Sequence, residues 1–218
     1  MSKPFSWEAF NKVPIIGIMR NIPPAQIEML VSRYHECGFT TLEVTMNSEG
    51  AAKTISYLSG FYTDRLNVGA GTVLTLEDLD EALEAGAGFI VTPVINGEVI
   101  KRCVARKIPI FPGAYTPSEI YKAWKLGAAM VKVFPATRLG PEFIREVLAP
   151  MNFLKLVPTG GVSIDTITDF FKAGATGVGM GSTLFPKNLV ENEQWDELGK
   201  HFLLLIKKYR EFRENSIN

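Results

Sequence analysis

The chain has 218 residues, with 23 Lys+Arg against 23 Asp+Glu, a formal net charge of +0 and 46% hydrophobic residues. This excludes intrinsic disorder, because enough apolar material is present to offset chain entropy, and the lack of a basic block argues against nucleic acid as a partner. With only His35 and His201, and with Cys37 and Cys103 in no ligand spacing, a multi-histidine metal site is not expected and a reduced cytoplasmic protein is; a carboxylate-held metal stays open.

Residues 1–8 lack an apolar leader, and no apolar run reaches membrane-spanning length (about 20 residues). Short apolar runs then alternate with amphipathic stretches. Strands are predicted at 13–19, 40–46, 66–72, 89–93, 108–113, 130–135, 154–159 and 177–181, each bounded by Gly, Pro, Thr or Asn, as buried parallel strands are. Helix starts are marked by Thr75, by Thr116-Pro117-Ser118-Glu119 with its capping-box glutamate, and by Ser163. Helix ends are marked by Gly38, Gly86, Gly127 and Gly174, at nearly even spacing, where positive φ is often required. The segment 189–214 reads as one long amphipathic helix carrying Trp195, Leu198, Phe202 and Ile206. Eight strand–helix units without a hairpin signal predict a (β/α)8 (TIM) barrel. The barrel is expected to be a single domain over 1–218, with a short N-terminal extension and a closing C-terminal helix. A doubly wound sheet is the alternative, but it needs a switch point that even spacing does not suggest.

Strand parity carries the chemical signal. Leu42, Val44 and Met46 share one face of their strand, which leaves Thr41, Glu43 and Thr45 pointing inward. Val131 and Val133 point outward, and Met130, Lys132 and Phe134 inward. Ile16, Ile18 and Arg20 share a parity, with Arg20 at the strand's C-terminal end. One lysine, one glutamate and one arginine therefore converge on an interior that barrels normally fill with branched apolar side chains. Burying a charge there costs several kcal/mol unless it is paired or neutralised. A structural Lys132–Glu43 ion pair is the plain alternative. The chemical reading is a desolvated Lys132, free to act as an amine nucleophile toward a ketone, with Glu43 as general acid/base.

Two stretches suit an anion. The segments 158–163, with Gly160 and Gly161, and 179–184, with Gly181 and Ser182, each end a strand and lead into a helical segment. Glycine lets a phosphate approach the backbone, and barrels often hold phosphate after strands seven and eight. Gly69-Ala70-Gly71-Thr72 is not a dinucleotide fingerprint, because Leu74 occupies the third glycine position; Thr72 reads as a hydroxyl at a strand mouth. His35 and His201 fall in helical segments and read as surface or packing residues.

Glu43-Val44-Thr45, Gly69-Ala70-Gly71-Thr72-Val73, Thr92-Pro93, Val131-Lys132-Val133-Phe134-Pro135-Ala136, Pro158-Thr159-Gly160-Gly161 and Gly181-Ser182 together resemble the 2-keto-3-deoxy-6-phosphogluconate (KDPG) aldolase family over roughly 10–187. The resemblance implies a metal-free, cofactor-free class I aldolase, usually a homotrimer. It would split a phosphorylated 2-keto-3-deoxy sugar acid into pyruvate and glyceraldehyde 3-phosphate. By position it implies Lys132 as the Schiff-base lysine and Glu43 as the proton shuttle. It places Thr72 near the substrate carboxylate, Pro93 and Phe134 on the pocket wall, and Gly160, Gly161, Gly181 and Ser182 at the phosphate. One departure matters. Where many members carry a carboxylate-binding arginine four residues after the glutamate, this chain has Asn47. The galactonate-type branch has a similar asparagine and an arginine at the end of strand one, as Arg20 is, whereas Thr159 resembles the gluconate type. Substrates of either epimer, and unphosphorylated 4-hydroxy-2-oxoglutarate, stay open. So do a phosphosugar epimerase or decarboxylase and a non-catalytic phosphosugar-binding barrel.

Overall fold

The computed structural model describes residues 4–215. Positions 1–3 of the stretch read for a leader, and both ends of the predicted 1–218 domain, lie outside the described residues. In chain order the elements are α1 (Trp7–Lys12), β1 (Ile15–Met19), α2 (Pro24–Glu36), β2 (Thr41–Thr45), α3 (Ala51–Phe61), β3 (Asn67–Gly71), α4 (Leu76–Glu84), β4 (Ile90–Val91), α5 (Gly97–Ala105), β5 (Ile110–Phe111) and β6 (Gly113–Ala114). There follow α6 (Pro117–Lys125), β7 (Val131–Val133), α7 (Gly140–Leu148), β8 (Leu156–Pro158), α8 (Ile167–Lys172), β9 (Val178–Met180), α9 (Lys187–Glu191) and α10 (Trp195–Asn215).

Every ladder is parallel, and the strands form a curled α/β sheet in two blocks, β5-β4-β3-β2-β1-β9 and β6-β7-β8. The strand expected over 108–113 is split. Pro112 has no N–H to donate, so the ladder is interrupted there. Its carbonyl still accepts from Lys132 N at 2.9 Å. Between β8 and β9, a parallel bridge joins Thr159 to Gly179, and Thr176 N donates to Leu156 O at 2.9 Å.

The local signals explain most helix ends. Thr75 and Thr116 each form a capping box, with Asp78 and Glu119 respectively. Gly38, Gly86, Gly127 and Gly174 have φ between +97° and +99°, the left-handed geometry that stops a helix cheaply only at glycine. Two expectations are corrected. Ser163 does not cap α8; its N–H donates to Thr166 Oγ1 at 2.9 Å, and the helix begins only at Ile167. The segment 189–214 is not one helix. A break after Glu191 separates the short α9 from α10, with Glu193 at φ +53° inside it.

The core has two parts. The larger lies between strands and helices. It takes Leu42, Val44, Val131 and Val133 from the strands and Leu30, Ile55 and Leu79 from the helices. The smaller lies on the concave face and gathers Ile16, Phe89, Val91, Phe111, Met130 and Val157 around Phe5 and Phe10 of the N-terminal segment. The inward and outward parities of these strands are as expected. Among the described residues no helix is long and apolar enough to cross a membrane, and no group of three or more His, Cys, Asp or Glu could hold a metal.

Candidate active site

Lys132 lies mid-strand in β7, paired in register with Gly113 and Val157; Glu43 lies mid-strand in β2, paired with Ile18 and Gly69. Both point to the concave face, one side-chain layer above the apolar floor. Lys132 is 5% exposed and Glu43 1%, and Lys132 Nζ stands 3.9 Å from Glu43 Oε1. That is an ion-pair distance but too long for a good hydrogen bond. Glu43 Oε1 is buried without a hydrogen-bond partner among the described residues. Lys132 Nζ also sits 5.1 Å from the centroid of the Phe134 ring.

Burial dominates the electrostatics of this pair. It holds the Lys132 amine below the ordinary lysine range, against the pull of Glu43 and with the help of the Arg20 charge. It pushes the Glu43 carboxyl above the ordinary carboxylate range, against Lys132 and Arg20. Both shifts run toward the uncharged forms. An uncharged amine next to a carboxyl that can give or take a proton suits addition to a carbonyl.

A cavity of about 510 Å³ opens nearby; neither Lys132 nor Glu43 lines it, but Phe134, beside the Lys132 amine, and Ile18, the register partner of Glu43, do. Arg20, Phe134, Thr159, Gly160, Gly161, Gly181 and Ser182 all line it, so seven of the residues singled out in the sequence converge there. Thr159 is 5% exposed. Gly160 and Gly161 have φ of +92° and +75°, which turns the loop after β8 sharply. Asn47 is not brought in: it is exposed on the loop after β2 and outside the cavity lining. Thr72 and Pro93 also lie outside that lining. Thr72 follows the last residue of β3 with φ +58°, a costly backbone for a β-branched residue (about 1–3 kcal/mol) that such sites tend to hold. The Pro93 carbonyl stands where a Cβ on Gly113, the register partner of Lys132, would fall.

Several contributors escaped the sequence reading. A Cβ on Gly71 would collide with Glu43 Oε1 and lie 2.7 Å from its Cδ, so this glycine makes the room the carboxyl occupies. A Cβ on Gly69 would strike the Phe89 ring, 2.6 Å from Cζ. Two glycines at strand period were thus a signal for large neighbours on the same face, not for a nucleotide. Ser48 Oγ accepts from Asn21 N at 2.9 Å and pairs with Thr45 Oγ1 at 2.8 Å. It therefore ties the backbone beside Arg20 to the strand that carries Glu43. Asn21 sits at φ +52° in that turn.

Comparison with known proteins identifies the family. A family model described as "Aldolase: KDPG and KHG aldolase" matches residues 8–201. The chain is 37% identical over 194 residues to a 2-dehydro-3-deoxy-phosphogluconate aldolase of Haemophilus influenzae, covering 88% of this chain and 91% of that protein. It is 31% identical over 202 residues to a 2-dehydro-3-deoxy-6-phosphogalactonate aldolase of Escherichia coli K12, covering 92% and 97%. The solved native KDPGal structure superposes with a TM-score of 0.87 at 30% identity, covering 98% of this chain and all of that one. Scaffold, site and relatives together define the class: an enzyme, a carbon–carbon lyase of the aldehyde-lyase type. The chain belongs to the KDPG/KHG aldolase family.

Proposed function

We propose that the enzyme is a class I aldolase that cleaves 2-keto-3-deoxy-6-phosphogluconate to pyruvate and glyceraldehyde 3-phosphate. The observation that carries this is the Lys132–Glu43 pair, almost wholly buried and 3.9 Å apart, with its neighbours Phe134 and Ile18 lining a cavity of substrate size. Uncharged Lys132 attacks the C2 ketone, and loss of water gives a protonated imine. That cation accepts the electron pair when the C3–C4 bond breaks. Glu43, directly or through water, takes the C4 hydroxyl proton, which frees the aldehyde and leaves an enamine. The same carboxyl returns the proton to C3, and hydrolysis of the imine releases pyruvate and restores the amine. Arg20 and Thr72 hold the substrate carboxylate, for which a guanidinium offers two parallel donors. Pro93, Phe134 and Thr159 shape the pocket, and the Gly160–Gly161 and Gly181–Ser182 loops hold the phosphate. Remote binding of that phosphate aligns the reacting bond.

A second reading, the galactonate epimer as substrate, is favoured by one observation: Arg20 faces the cavity while Asn47 stands outside it. The scaffold we take as one (β/α)8 barrel over the whole chain. A single-residue interruption at Pro112 and the Thr159–Gly179 bridge support closure. The assembly we take as a homotrimer, which light scattering tests.

The decisive experiment is borohydride reduction in the presence of pyruvate followed by peptide mass spectrometry. One adduct, on Lys132, is expected, and Lys132→Met abolishes it along with pyruvate release from substrate. An adduct elsewhere, or none, overturns the mechanism. The two phosphorylated epimers and 4-hydroxy-2-oxoglutarate, assayed side by side, then assign the substrate.

A further inference from the structure

The two glycine loops beside the cavity are joined by a side chain. Thr183 Oγ1 donates to the Val162 carbonyl at 2.7 Å, so the loop after β9 holds the loop after β8. From α10, His201 Nε2 lies 2.8 Å from the Thr183 carbonyl. A carbonyl only accepts, so that nitrogen carries the proton. On the other side, Thr166 Oγ1 donates to the Gly161 carbonyl at 3.0 Å. The Gly181 carbonyl accepts from Leu184 N and Phe185 N, each at 2.9 Å. The carbonyls of Gly161, Val162, Gly181 and Thr183 are therefore all engaged within the protein.

This matters because a carbonyl oxygen turned toward an anion repels it, whereas a peptide N–H attracts it. Which of the two faces the cavity depends on how each peptide plane is held. The glycines cannot hold the planes themselves, since they have the widest backbone freedom of any residue. A Cβ on Gly161 would lie 2.8 Å from Thr137 Cα, so the loop is backed closely on one side. On the cavity side the hold comes from Thr183, which itself lines the cavity.

We propose that Thr183, anchored through its carbonyl by His201, is a positioning residue that locks the two loops into one preorganised phosphoryl-binding concavity. This deepens, and rests on, the phosphate reading of Gly160, Gly161, Gly181 and Ser182. A loop ordered in advance is not ordered at the expense of each binding event.

The test compares cleavage of the 6-phosphorylated keto acid with cleavage of unphosphorylated 4-hydroxy-2-oxoglutarate, both followed by pyruvate release, and adds competitive inhibition by inorganic phosphate. Thr183→Val keeps the side chain's shape and removes its donor. It is expected to raise KM for the phosphorylated substrate about tenfold with a much smaller change in kcat. Phosphate inhibition weakens in step, and the ratio of kcat/KM between the two substrates falls by the same factor. Thr183→Ser, which keeps the donor, restores most of the loss. His201→Leu weakens phosphate binding, and His201→Gln, which keeps a donor, restores it; this second pair carries the comparison should Thr183→Val not fold. Equal losses on both substrates, or no loss on either, overturn the clamp. If the unaltered enzyme shows neither phosphate inhibition nor a preference for the phosphorylated substrate, the phosphate reading itself has failed. Clear phosphate dependence with an unaffected Thr183→Val overturns the clamp alone.

Discussion

Met130 and Val157 each stand two positions before a residue of the site, Lys132 and Thr159, on the same face of the same strand, and Ile16 stands likewise before Ile18 at the cavity wall. The lower set closes a dry floor with Phe5, Phe10, Phe89 and Phe111, whose rings meet at 5.2 to 5.9 Å. The upper set adjoins an open cavity and includes a carboxyl oxygen with no hydrogen-bond partner among the described residues. The floor stabilises, since each large apolar side chain fully buried contributes about 1.5–3 kcal/mol. The layer above costs stability, because two ionisable groups are held out of water. One scaffold carries both because strand parity repeats: a residue two positions along points the same way but toward the mouth.

That division can be broken most sharply at Glu43. Glu43→Gln should cut pyruvate release by about 10²–10⁴-fold. Its melting temperature should not fall. Because burial raises the carboxyl's pKa in the folded state, its contribution to stability is full below the ordinary carboxylate range and is lost as pH rises through the raised value. Glutamine does not titrate, so the variant should gain on the parent as pH rises. A drop in melting temperature across the whole pH range would mark the pair as structural.

The floor should answer in the opposite sense. Phe10→Ala, at a wholly buried ring, should lose about 3–5 kcal/mol in denaturant titrations. Below its melting transition kcat/KM should stay near the parent value. The two glycines of β3 then test the boundary between layers. Gly71→Ala drives a methyl into the Glu43 carboxyl, and Gly69→Ala drives one into the Phe89 ring. Each should cost about 1–3 kcal/mol. Only the first should also depress turnover strongly; the reverse pattern would sink the division. The smallest effect belongs to Arg20. Its charge helps to keep the Lys132 amine unprotonated. Arg20→Ala should therefore move the acid limb of the kcat/KM profile to higher pH and raise KM for the keto acid about tenfold. An unmoved limb would remove Arg20 from the site's electrostatics.

Much of this was readable before folding. Strand parity placed Lys132 and Glu43 on one face, and the structure brings them together. The capping boxes at Thr75 and Thr116 and the glycine stops are local signals, set by a few neighbouring residues, and they hold. What escaped is set by distant partners. Pro112 could be seen to lack a donor, but not that its strand would split there. The break after Glu191 is invisible to apolar periodicity, which continues across it. Ser163 looks like a cap because only the next few residues are considered; Thr166 takes its backbone instead. Asn47 and Arg20 are far apart in the chain, and which of them faces the cavity depends on a turn at Asn21 held by Ser48. The purpose of Gly69 and Gly71 is written in side chains distant in the chain, Phe89 just before β4 and Glu43 of β2.

The floor also bears on how the chain acquires its shape. Phe5 and Phe10 come early in the polypeptide, while Met130 and Val157, which they pack beside, come far later. Contacts so distant along the chain form slowly, after much of the loop-closure entropy has been overcome. Sealing of the bottom is therefore expected to come late in assembly. Until it happens an aromatic patch stays open to solvent and to other nascent chains, and this is where a refolding experiment should find the enzyme most prone to aggregate.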